Sequence, residues 1–94
     1  DLRHRILRGR LLLAKGEVAD ATAEATRLTK EAPADPEAWL LLARARMASR
    51  DFAAARAAVA DGKQAFGAAF FVRPQVATDL DSIDAAAQAL APRG

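Results

Sequence analysis

Residues 35–59 read DPEAWLLLARARMASRDFAAARAAV, and residues 1–25 read DLRHRILRGRLLLAKGEVADATAEA. Laid over each other with a shift of 34 residues, they pair Leu7 with Leu41, Gly9 with Ala43, Leu13 with Met47 and Ala14 with Ala48. The overlay continues with Glu17 on Asp51, Val18 on Phe52, Ala21 on Ala55 and Ala25 on Val59. Small residues fall on small ones and acids on acids, as two copies of one helix hairpin require. Gly9 or Ala43 and Ala21 or Ala55 are slim enough for two antiparallel helices to approach, and Val18 or Phe52 fills the angle near the turn. Each hairpin then keeps an apolar face for the next hairpin to cover.

Outside these two stretches the composition points the same way. Alanine supplies roughly a quarter of the chain, with leucine, arginine and glutamate filling much of the rest, residues that lose little freedom in a helix. Gly16, Pro33, Pro36, Gly67 and Pro74 punctuate segments of helical length. The expected helices run Leu2 to Lys15, Glu17 to Glu31, Pro36 to Ser49, Asp51 to Phe66 and Pro74 to Leu90. Asp35 is placed to cap the third, its carboxylate accepting from a backbone N–H while Pro36 takes the first helical position, where a missing N–H costs nothing. In the last helix Val76, Leu80, Ile83, Ala87 and Leu90 recur at spacings of three and four, a continuous apolar seam. A seam of that kind suits a helix packed on the second hairpin, in place of a third repeat; insertion into a groove of its own or a neighbouring chain is the competing placement.

The same residues narrow the chemistry. Hydrophobic residues make up 52% of the 94-residue chain and charged ones 28%, the mixture of one small soluble domain. No apolar run approaches the roughly 18 residues of a membrane span. The absence of cysteine excludes a disulfide framework, a thiolate zinc site and a cysteine nucleophile. With one histidine, no tyrosine and two serines, the usual stock of general bases and nucleophiles is thin, and neither an enzyme nor a cofactor is expected. The chain opens at Asp1 with no methionine and no charged-then-apolar leader, which reads as an excerpt or processed product and leaves the compartment open.

The second stretch resembles the tetratricopeptide repeat, whose signature is Trp-x-x-Leu-Gly-x-x-Tyr, then Ala-x-x-x-Phe, then Pro over 34 residues. It offers Trp39, Leu42, Ala43, Phe52, Ala55 and Val59, and departs at Arg46, where an aromatic is usual, and at Gly67 in place of proline. The first stretch supplies Gly9, Leu12, Gly16, Ala21 and Pro33, with Arg5 and Arg8 where the aromatic and the leucine belong. Beyond residue 68 the likeness shrinks to Val76, Ala77 and Leu80. The resemblance implies one all-α domain over residues 1–94, a right-handed superhelix of two hairpins, about 1–34 and 35–68, plus a terminal helix over 74–90. The first helix of each hairpin would line a concave face, with Arg3, Ile6, Arg10 and Leu13 from one and Glu37, Leu40, Leu41, Arg44 and Met47 from the other. An apolar strip bordered by arginines suits a protein or peptide segment bearing apolar and acidic side chains. Family members that clamp a terminal carboxylate use lysine and asparagine where this chain has Ile6 and Leu41. The runner-up function is an oligomerisation element whose groove is filled by another copy.

Other motifs read blandly. Charge alternates in blocks, +4 over residues 1–16, −4 over 17–43, +4 over 44–73 and −2 over 74–94. The basic opening is spread around its helix without interleaved aromatics, so nucleic-acid binding ranks third. Asp79, Asp81 and Asp84 lack the glycine and glutamate of a calcium loop and fall off the apolar seam, free to stay solvated or face arginines; lone His4 lacks a second metal ligand. Trp39 reads as a packing residue by its place in the motif, and Met47 suits either a core or a groove.

Overall fold

A computed structural model describes residues 1–66 and 74–91 of the chain. They form five helices and no strand: α1 (Leu2–Ala14), α2 (Val18–Glu31), α3 (Pro36–Ala48), α4 (Phe52–Phe66) and α5 (Pro74–Leu90). The end of the second repeat, including Gly67, lies outside the described residues, as does Arg93. Three aspartates start helices. Asp1 accepts from Arg3 N–H at 3.2 Å, Asp35 from Glu37 N–H at 2.9 Å and Asp51 from Ala54 N–H at 3.2 Å, each meeting a backbone donor that has no helical acceptor. In α2 the threonines are accommodated by back-bonding: Thr22 and Thr26 donate to the carbonyls of Val18 and Thr22, and Thr29 to that of Thr26.

The turns inside the two hairpins are the same turn. Gly16 N–H donates to Leu13 O at 3.0 Å and Glu17 N–H to Leu12 O at 2.9 Å; Arg50 N–H donates to Met47 O and Asp51 N–H to Arg46 O, both at 3.0 Å. This is the Schellman pattern, which needs a left-handed residue just past the helix. Gly16 takes it at φ 84° and Arg50 at φ 61°. The 34-residue period therefore extends to individual backbone bonds. Lys15 and Ser49 become C-caps and Glu17 an N-cap, so the helices stop one residue inside the ranges expected from sequence.

Packing repeats as well. α1 pairs with α2 and α3 with α4, each across its short turn; α3 lies against both α1 and α2, and α5 lies in the same way against both α3 and α4. One apolar cluster runs through the stack from Ile6 of α1 and Leu28 of α2 to Leu41 of α3, Val59 of α4 and Leu80 of α5. A second, smaller one joins Phe52 and Ala55 of α4 to Ala87 of α5. The seam expected in α5 is thus turned inward at Val76, Leu80 and Ala87, with Ile83 alongside, while Leu90 stays exposed. Pro74 falls later than a strict 34-residue repeat would start a third hairpin, yet its helix takes that place.

Gly9 has a different job from the one its spacing suggests. A Cβ built there would lie 2.5 Å from Leu41 Cδ2 and 3.3 Å from Leu41 Cδ1, so the glycine admits a side chain of α3 rather than of its hairpin partner α2. It sets the approach of one hairpin to the next. Ala21 and Ala55 are wholly buried, as helix-pair contacts require.

Candidate functional site

The opening helix has arginine where the repeat wants an aromatic, and α2 supplies the reason it folds. Arg5 Nε donates to Glu24 Oε1 at 3.0 Å and Arg5 Nη2 to Glu31 Oε2 at 2.6 Å, binding α1 to α2. Arg27 Nη2 closes the cluster on Glu24 Oε2 at 2.7 Å. The hydrogen bonds that Arg5 donates to Glu31 and Glu24 raise its pKa further, and the guanidinium in turn holds the Glu31 carboxyl below its ordinary value. In the second hairpin the equivalent residue, Trp39, packs beside the main cluster and donates its indole N–H to Pro33 O at 2.7 Å, closing the link between repeats. It is a packing residue, as its motif position implies.

These contacts bring part of the expected groove together. Arg3, Ile6 and Arg10 of α1 and Glu37 in the first turn of α3 line one depression of about 360 Å³, with Leu7 as the fifth wall. Arg3 and Arg10 are exposed and have no ion-pair partner among the described residues. Leu7 was not among the expected groove residues; its place one turn from both Arg3 and Arg10 was the signal that it lies on their face.

The other expected groove residues are turned elsewhere. Leu40 and Leu41 are buried in the main cluster, and Leu13 lies partly buried against it. Met47 packs beside Phe52 and Ala55. Arg44 lies 3.5 Å from Asp79, the first of three cross-helix pairs made by the aspartates of α5. Arg56 Nε meets Asp84 Oδ1 at 3.1 Å, and Lys63 pairs with Asp81. The three carboxylates serve as a seam of ion pairs that holds α5 on α3 and α4.

A larger concavity of about 520 Å³ lies between α4 and α5, floored by Val59 and edged by Ala53, Ala57 and the Arg56–Asp84 pair. Its charges are already compensated within the molecule, whereas those of the depression on α1 are not. Of the two concavities, the one on α1 is the one that holds arginines with no ion-pair partner among the described residues, Arg3 and Arg10.

Two hairpins that repeat their turns, caps and packing, followed by a helix in the next place, define a helical-repeat protein. The tetratricopeptide repeat profile matches residues 12–68, and the chain belongs to the tetratricopeptide repeat family. The match begins beyond Arg5 and Arg8, the residues where α1 departs from the signature. No curated protein and no solved structure matches the chain. The family is generally a protein–protein interaction module, and its repeats are typically non-catalytic scaffolds. Among the described residues no helix is long and apolar enough to cross a membrane.

Proposed function

We propose that residues 1–94 act as one interaction module that holds a protein segment on the side of α1 and α3 where Arg3, Ile6, Arg10 and Glu37 meet. The observation that supports this reading is the depression itself, in which apolar Ile6 and Leu7 lie beside two arginines that form no ion pair among the described residues. Such a surface favours an extended or helical segment with apolar side chains for the floor and acidic ones for the rims. Glu37 adds a specificity element, since an acid placed over it would be repelled and a base attracted. Arg44 belongs to this module as a strut, because its partner is Asp79 and its charge is spent on seating α5.

An array of short peptides combining leucine with glutamate or aspartate, probed with the whole chain, selects a ligand, and titration calorimetry then ranks variants. Arg10→Glu should weaken binding about tenfold and flatten its salt dependence, because exposed charges attract over a Debye length of about 10 Å at 0.1 M salt. Arg44→Glu should act on thermal stability more than on affinity. An affinity untouched by Arg3→Glu/Arg10→Glu would move the binding surface elsewhere.

A further inference from the structure

The face of α1 opposite the core carries two of the exposed large hydrophobic residues of the described chain, Leu7 and Leu11, 56% and 59% exposed and one turn apart. The 34-residue equivalence says what such a face does. Its counterparts on α3 are Ala38, Leu41, Leu42 and Ala45, all within 2% of complete burial, and Leu41 is the side chain received by Gly9 of α1. On α1 the same four places hold His4, Leu7, Arg8 and Leu11. The face keeps one leucine of a stacking surface, Leu7 for Leu41, gains Leu11 where α3 has Ala45, and carries His4 and Arg8 where α3 has Ala38 and Leu42.

Charge decides what fits it. His4, Arg8 and Lys15 border the leucines on one side and Arg3 and Arg10 on the other, and none has an ion-pair partner among the described residues. A second copy docking symmetrically through α1 would set Arg3, Arg8, Arg10 and Lys15 of one copy against those of the other. Of the acids on another copy, Asp79, Asp81 and Asp84 are engaged by Arg44, Lys63 and Arg56, and Glu24 and Glu31 by Arg5 and Arg27. We infer that the outer face of α1, which meets the depression at Leu7 and continues past it to Leu11, Arg8 and Lys15, is a second docking surface whose occupant is an acidic amphipathic helix seated on α1 as α1 is seated on α3. It would present a small residue to Leu7, as Gly9 is presented to Leu41, with carboxylates reaching Arg8 and Lys15.

The probe follows from the molecule's own packing. A stapled helical peptide copies residues 2–15 with Arg3→Glu, Arg8→Glu, Arg10→Glu, Lys15→Glu, Leu7→Gln and Leu11→Gln. It keeps Ile6, Gly9 and Leu13 of α1, including the glycine that receives Leu41 of α3, and carries four glutamates in place of cations. Fluorescence anisotropy with the whole chain should show saturable binding, weakened at least about tenfold by Leu11→Gln and by Arg8→Glu in the protein. Both residues are exposed, so the unfolding temperatures of these variants should match the parent's. Glu37→Lys, which alters the depression and not the outer face, should leave this binding unchanged. That separates failure here from failure of the groove. The inference is overturned if the peptide does not bind at millimolar concentration, or if binding survives Leu11→Gln. It is equally overturned if the face instead drives Leu11-dependent dimerisation in sedimentation, or if Leu11 and Arg8 act only on phosphatidylserine vesicles.

Discussion

The two hairpins share a backbone and differ in what fills it. Where the second places Trp39 over an apolar floor that includes buried Ala58, the first places Arg5 over Glu24, the residue 34 positions before Ala58, with Glu31 and Arg27 completing the cluster. An indole fills volume and needs one hydrogen bond, while a guanidinium needs carboxylates within reach and keeps Glu24 buried only as long as it is present. One architecture thus tolerates an aromatic or an ionic solution, provided that both members of the pair change together. The two helices also differ in cover: among the described residues α3 lies against α1, α2, α4 and α5, and α1 against α2 and α3.

The largest test of that pairing transplants half of it. Ala58→Glu should bury a carboxylate under Trp39 with no guanidinium to meet it, at a cost of about 3–5 kcal/mol in urea-unfolding free energy. Trp39→Arg/Ala58→Glu should recover part of the loss. If the single variant is as stable as the parent, the two sites are not equivalent. Next comes overpacking, where Ala21→Leu and Ala55→Leu should each cost roughly 1–3 kcal/mol. Ala55 should be the worse of the two because Phe52 and Ala87 of α5 also close on it, and equal denaturation midpoints would contradict that.

A smaller effect is expected at the shared turn. Arg50 adopts φ 61°, a left-handed conformation that glycine reaches without strain, so Arg50→Gly should stabilise by about 1 kcal/mol. The gain is reduced by loss of the guanidinium from its place 5.4 Å over the Phe52 ring. Gly16→Ala should destabilise by a similar amount through backbone strain alone, since nothing lies within 4 Å of the added Cβ. The least effect is the pH response of the ionic cluster. Arg5 holds the Glu31 carboxyl below its ordinary value, so the pair's stabilisation is complete above the unfolded carboxyl pKa and is lost as pH falls through the folded one. Glu31 is 57% exposed, so solvent screens the pair. Unfolding midpoints of the parent and Glu31→Gln should differ at neutral pH and converge in acid, a convergence absent from the second hairpin.

Much of the fold was legible before any coordinates. Helix limits came within one residue because Asp35-Pro36, Gly16 and Pro74 act locally, through a cap, a left-handed turn and a fixed φ. The candidate site was legible only in part. Arg3, Ile6, Arg10 and Glu37 share the depression, but helical spacing could not tell that Leu40 and Leu41 turn inward, or that Leu7 takes their place.

Sequence by itself determined the period, the helices and the apolar seam of α5, since these show in spacing and residue type along the chain. Tertiary structure decided the partners. Gly9 opposite Leu41, Arg5 between Glu24 and Glu31, and Arg44 against Asp79 join residues on different helices. Spacing along one helix fixes which side a residue occupies but not which neighbour covers that side, and so leaves open whether a cation awaits a partner or already has one.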